Sequence, residues 1–181
     1  VQIYEAMSDD LLSALLKDEI NFYIIPRDLK DLPSGLQTEC IYRENLYLIA
    51  APGVVKEEDL ADPIHNIVRD AFLRSQPFIP IKKGHAIRKK TDEIFRKKKI
   101  SPMVSMEVSS CISAVQLAHS GLGITIVPSR ALEALGGIDC FCRYQYGEIP
   151  DAWDVNVVYK KDSYLDRTER GFIELLKSVF P

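Results

Sequence analysis

The chain has 181 residues, 46% hydrophobic and 27% charged, a balance that excludes a disordered chain and suffices for one domain or two small lobes with a proper core. A net charge of −3 lacks the basic excess expected of a nucleic-acid binder. No run approaches the ~18–20 apolar residues that span a bilayer, and residues 1–8 lack the charged-then-apolar order of a signal peptide, so a cytoplasmic chain with no membrane partner is expected.

Residues 1–6 alternate as a strand with Val1, Ile3 and Glu5 on one face, and Ser8 is a good N-cap for a helix whose dipole Asp9 and Asp10 complement. Leu11, Leu12, Leu15 and Leu16 give that helix its apolar stripe, and residues 20–25 form the next strand of a β-α-β unit. Pro26-Arg27-Asp28 follows at once. Ligands in open α/β sheets bind beyond the carboxyl ends of strands, which makes Arg27 a candidate contact, although a solvated loop arginine is an equal reading.

Residues 36–41 and 46–50 read as short strands, and the polar Tyr42-Arg43-Glu44-Asn45 between them interrupts the apolar pattern as a crossing between lobes would. Residues 52–63 are polar and proline-flanked, with Glu57-Glu58-Asp59-Leu60 suited to one helical turn. Residues 66–75 are ambiguous, and residues 78–82 read as a strand broken by Pro80. Gly84-His85-Ala86-Ile87-Arg88 opens a basic helix with Ile87, Thr91, Ile94 and Phe95 as its apolar positions. Its Arg96-Lys97-Lys98-Lys99 tail suits a helix C-terminus and reads as a solvated face rather than a nucleic-acid patch.

Residues 104–134 form a second β-α-β unit, the piece that organises the chain. A strand over 104–108 leads to a Ser109-Ser110 helix start, then a helix with Ile112, Val115, Ala118 and Leu122 inward. Gly121 permits the left-handed helix cap, and Gly123 lets the chain pass close to neighbouring backbone. The strand at 124–127 has no polar alternation and must be covered on both faces, as parallel strands between helix layers are. Pro128 closes it, and a helix follows from Ser129 to Leu135. Residues 140–146 and 153–159 are the last strands, and residues 168–180 a closing helix with Phe172, Leu175, Leu176 and Val179 inward.

The four cysteines, Cys40, Cys111, Cys140 and Cys142, contain no C-x-x-C pair, which argues against a metal site and for reduced, buried thiols. Cys140 and Cys142 would share one face of a strand, and Cys111 falls in a helix first turn that favours a thiolate.

The order of these features resembles the effector-binding domain of LysR-type transcriptional regulators. The matching pieces are residues 9–16 leading into 20–25, the Glu44-Asn45-Leu46-Tyr47-Leu48-Ile49-Ala50-Ala51-Pro52 segment, Phe78-Ile79 before Gly84, Arg88 with Asp92 and Phe95, and residues 120–128. Ser-Gly-Leu-Gly-Ile-Thr-Ile-Val-Pro in the last is the most specific. The resemblance implies an α/β fold of the type 2 periplasmic-binding-protein kind, with mixed sheets in two lobes joined by two crossing strands, near residues 41–44 and 141–146. It divides the chain into an incomplete first lobe (1–43), a second lobe (44–143) and a return to the first (144–181). A small-molecule effector in the cleft and a homodimer are implied, and operator DNA is reached only through a winged helix-turn-helix not found here. The family's domain begins with one more strand and helix, the strand inside the first lobe's sheet, so either an incomplete first lobe or an edge rescued by another chain is expected.

An effector site needs a few convergent polar groups, and helix N-termini supply them for carboxylates and phosphates. The start at Ser8 already carries two aspartates. The starts at Ser109-Ser110 and at Gly84 carry no acid, and the second adds His85 and Arg88, which makes these two the anion candidates. Simple capping is the competing reading for Ser109 and Ser110, and a solvent-exposed loop for His85. The resemblance adds Arg27 and the segment Ile79-Pro80-Ile81, although Pro80 offers no N–H, and together these favour an anionic metabolite. No cofactor, metal ligand or catalytic residue is expected: His65, His85 and His119 lie in unrelated contexts. A solute-binding protein of the same fold, or an enzyme built on it, are the alternative classes.

Overall fold

The computed structural model describes residues 3–26, 32–147 and 152–180. In chain order the elements are α1 (Ser8–Leu16), β1 (Phe22–Pro26), β2 (Leu36–Ile49), β3 (Leu60–Asp62), β4 (Ile67–Val68), α2 (Asp70–Ser75), β5 (Pro77–Phe78), α3 (Ala86–Lys97), β6 (Met103–Val104), α4 (Cys111–His119), β7 (Thr125–Pro128), α5 (Ser129–Glu133), β8 (Arg143–Tyr144), β9 (Ala152–Lys160) and α6 (Arg167–Val179). The fold is mixed α/β with several sheets, as expected. The chain divides into two compact units, Val1–Glu44 with Trp153–Pro181, and Asn45–Ala152.

The first unit is a sheet covered on both faces. β1 runs antiparallel to β9, and β9 lies beside β2. Strand alternation divides the side chains. On one face Ile41, Val157 and Tyr159 pack with Ile173 of α6, and on the other Tyr23, Ile25 and Val158 pack with Leu15 of α1. Asp166 begins α6 with a capping box, accepting from the Glu169 N–H while its own N–H donates to the Glu169 carboxylate, each at 2.8 Å.

Several expectations for this unit are corrected. Residues 3–7 enter no strand, so the strand expected over 1–6 is not formed among the described residues. Met7 rather than Ser8 occupies the cap of α1, since the Leu11 N–H already reaches the Met7 carbonyl. Leu16 is exposed, and Ala14 takes its place in the stripe, one turn from Leu11 and beside Leu15. In α6, Leu175 and Val179 are exposed and Ile173 is fully buried, a rotation of the apolar face from the one expected. The largest correction concerns the break expected at Tyr42-Arg43-Glu44-Asn45: β2 is one strand through all four, and it passes from one unit to the other between Glu44 and Asn45. Glu44 is buried at 5% exposure, and Trp153 Nε1 donates to its Oε2 at 3.1 Å, so a polar residue is held in the pleat instead of breaking it.

In the second unit the end of β2 pairs antiparallel with β7 (Leu46↔Pro128 to Ile49↔Thr125) and with β8 at Leu48 and Ile49. β7 is therefore not the parallel strand its apolar run suggested, although its approach residue Ile124 makes a parallel bridge with Phe78. β5 and β6 pair in parallel, Pro77↔Met103 and Phe78↔Val104. These strands are shorter than the expected 78–82 and 104–108: Pro80 lacks the N–H a continued ladder needs, and pairing resumes as a single bridge, Ile81↔Val108. Buried Ile87, Thr91, Ile94 and Phe95 give α3 the apolar face that was expected.

α4 buries Ala114, Val115 and Ala118 while Ile112 and Leu122 stay exposed, the latter because it sits past the helix between two glycines. The turn is a Schellman cap, with the Leu122 N–H on the Leu117 carbonyl (3.1 Å) and the Gly121 N–H on that of Ala118 (3.0 Å). Gly123 (φ +151°) brings the chain against β5, and a Cβ there would lie 2.5 Å from the Pro77 carbonyl oxygen. The strand expected over 140–146 is a 3-10 turn at Ile138–Cys140 followed by β8, so Cys140 and Cys142 share no strand face. All four cysteines are free and none is buried, against the expectation of core thiols. Among the described residues no helix is long and apolar enough to cross a membrane, and no group of metal-ligating side chains gathers.

Candidate functional site

The parallel bridge between Ile81 and Val108 organises one end of the second unit. It is closed by the Val108 N–H on the Pro80 carbonyl (3.1 Å) and the Lys82 N–H on the Val108 carbonyl (2.8 Å). Five residues after Ile81 helix α3 begins, capped by His85, and three after Val108 helix α4 begins, capped by Ser110. Two helix starts thus follow the carboxyl ends of two segments that run side by side in the same direction. Neither cap makes a side-chain hydrogen bond to its helix, and neither first turn holds an acid. The Arg88 N–H turns back to the His85 carbonyl (3.1 Å), and each start lies at the positive end of its helix dipole.

Ser110 and His85 are half-buried, Ser109 is exposed, and Lys82 and Lys83 on the approach to α3 are exposed. Ile79, Pro80 and Ile81 are buried within the unit, Ile79 completely and Ile81 at 3% exposure, so what this segment presents is backbone. Much of that backbone is engaged: the Ile79 N–H donates to the Ile124 carbonyl (2.8 Å), and the Ile79 carbonyl accepts from the buried Thr125 hydroxyl (2.8 Å). Arg27 lies outside the described residues.

Arg88 corrects the sequence reading. It was counted with the cations facing an anion, but its charge is already used. Nε donates to both oxygens of Asp92 (2.9 and 3.0 Å), and Nη1 to Glu107 (2.7 Å) and to the Ile81 carbonyl (3.0 Å). Burial acts most strongly on this guanidinium and weakens its hold on the proton, yet the bonds to Glu107 and Asp92 together raise its pKa above the ordinary value. Arg88 therefore ties the first turn of α3 to both segments of the bridge. The Arg88…Asp92 spacing signalled half of this arrangement, while Glu107 is a partner across the fold.

The other two histidines are elsewhere: His65 Nδ1 lies 2.6 Å from Asp62 Oδ2 in an exposed turn, and the His119 ring packs edge-on against Phe141 with centroids 5.4 Å apart. The three histidines do not converge with a nucleophile.

Residues 1–181 match the family model described as LysR substrate binding domain. The uncharacterized HTH-type transcriptional regulator YybE of Bacillus subtilis is 38% identical over 56 residues, 31% of this chain and 19% of that protein, so the match spans about a fifth of the curated relative's length. Two solved structures share the fold. An OxyR mutant from Porphyromonas gingivalis superposes with a TM-score of 0.76 at 20% identity, covering 99% of this chain and 79% of that one. The Synechocystis PCC6803 CcmR regulatory domain in complex with 2-PG does so with a TM-score of 0.75 at 20% identity, covering 94% and 78%.

Proposed function

This chain belongs to the LysR substrate-binding domain family, and from that premise we propose that it senses a small anionic effector at the adjoining starts of α3 and α4, for a LysR-type transcriptional regulator. The observation that supports an anion is the Ile81↔Val108 bridge, which sets two acid-free helix starts without side-chain caps after parallel segments. Each start offers about half a positive charge of dipole. His85, Ser109 and Ser110 are the side chains assigned to the effector, with the backbone of Ile79, Pro80 and Ile81 beside them. Arg27 joins them on its place after β1 in the sequence. The CcmR regulatory domain, similar in fold, was solved with a small molecule named 2-PG, which supports the ligand class in general terms.

The two compact units are read as the family's two lobes, and the domain as one half of a homodimer, which sedimentation over a range of concentrations tests. DNA is reached through a helix-turn-helix of the whole regulator. An effector moves such a regulator only as far as its affinity differs between the regulator's two states.

Thermal unfolding against a panel of small carboxylates, amino acids and phosphate esters tests the site. An effector at ~100 times its Kd adds about 2.7 kcal/mol, a rise of several degrees in Tm. Ser110→Asp and His85→Asp are the discriminating variants, because aspartate caps a helix well but repels an anion from its start. Both should fold and lose the shift. A shift that survives both substitutions removes the site from these helix starts, and a panel in which only neutral or cationic compounds act refutes the anionic reading.

A further inference from the structure

The two parallel segments that lead to α3 and α4 have a gap in their backbone ladder. Pro80 has no N–H to give, so after Phe78↔Val104 the pairing resumes only as the bridge Ile81↔Val108. Arg88 spans both segments beside that bridge. Its Nη1 bonds the Ile81 carbonyl on one segment (3.0 Å) and Glu107 on the other (2.7 Å), while its Nε bonds Asp92 one turn further along α3. The planar guanidinium fixes these directions together, and its side chain is only 13% exposed.

One cation here meets two carboxylates, so the cluster offers an anion no attraction of its own. Glu107 lies two residues before Ser109 and is 40% exposed, and its charge opposes an anion at the start of α4. A carboxylate in that place is unfavourable to the site, and the tie it makes to Arg88 accounts for it. Asp92 sits on the same helix as Arg88, so its bonds orient the guanidinium but join no second element.

We propose, resting on the anionic site read above, that Arg88 is its positioning residue: through Glu107 and the Ile81 carbonyl it holds the start of α3 in register with the segment that leads into α4, without touching the effector. Charge and positioning therefore act in opposite directions at Glu107. Deleting its carboxylate strengthens anion binding if charge alone counts, and weakens it if the tie to Arg88 sets the geometry.

The test follows the first-turn amides of α3 and α4 by NMR while inorganic phosphate is titrated, at constant ionic strength, into the isotopically labelled chain and its variants. Glu107→Ala is expected to bind phosphate roughly tenfold more weakly than the unaltered chain, and Arg88→Met likewise. Glu107→Gln keeps an acceptor for Nη1 without the charge, and should recover part of the loss. In the Arg88→Met background Glu107→Ala should cost nothing further, since the tie is already gone. Glu107 is exposed enough for both of its variants to fold, so they decide the matter whether or not Arg88→Met does.

A Glu107→Ala chain that binds phosphate as well as or better than the unaltered one overturns the proposal and leaves the anionic site standing. So does a Glu107→Gln chain that binds no better than Glu107→Ala. Phosphate that moves no first-turn amide of the unaltered chain up to about 10 mM removes the site itself, and the proposal with it.

Discussion

Gly123 and Gly53 both hold positive φ, +151° and +77°, but only one is crowded. A Cβ at Gly123 meets the Pro77 carbonyl oxygen, whereas at Gly53 it meets nothing within 4 Å. Gly123→Ala must displace β5 as well as strain the backbone, and is expected to cost about 1–3 kcal/mol more than Gly53→Ala in urea unfolding. Equal losses would mean that φ alone matters at both. The close approach at Gly123 was legible because glycine beside a buried strand has few other uses. The burial of Glu44 was not, because the Trp153 indole that makes a buried carboxylate tolerable lies 109 positions away. A charged residue in an apolar run reads as a break until its partner is known. Arg88 failed for the same reason in reverse: its cation was visible, but Glu107 was not recognisable as the group that occupies it.

Among the elements, those with a long apolar period were readable and the short ones were not. α3 buries its four expected positions because twelve residues of helix sample the period three times over. β5, β6 and β8 are two residues each, too short for any alternation, and their pairing is decided by neighbours distant in sequence. At the start of α6 the local chemistry is complete: Asp166 and Glu169 satisfy one another's N–H groups. Asp166→Ala should therefore cost about 1 kcal/mol, and Asp166→Asn distinctly less because it still accepts at the cap. Urea midpoints compare the two directly. If alanine and asparagine are equivalent, the box contributes little and α6 rests on Ile173 and its neighbours alone. For the candidate site, the two helix starts were legible from serine, glycine and the lack of acids, while the bridge that makes them neighbours was not.

At the scale of the molecule, one unit is continuous in sequence and the other is not. Residues 45–152 contain every strand partner of β7 and β8, whereas β1 finds its partner β9 only near the end of the chain. The segment 45–152 expressed alone is expected to unfold cooperatively, with a urea dependence of roughly 1–3 kcal/mol/M. The segment 1–44 alone should stay unstructured by circular dichroism, because one of its apolar clusters takes Val157, Tyr159, Leu165 and Ile173 from the end of the chain and the other takes Val158. A folded 1–44 fragment, or an unfolded 45–152, would show that the division into units carries no energetic meaning.

This discontinuity acquires a clock during synthesis. Tyr23 pairs with Val158, 135 positions later, and at ~5–20 residues per second a ribosome takes on the order of ten seconds to make that distance. For that interval the edge of β1 that β9 takes is bare, while the second unit can already close behind it. The exposure of that edge ends only when β9 emerges to take it.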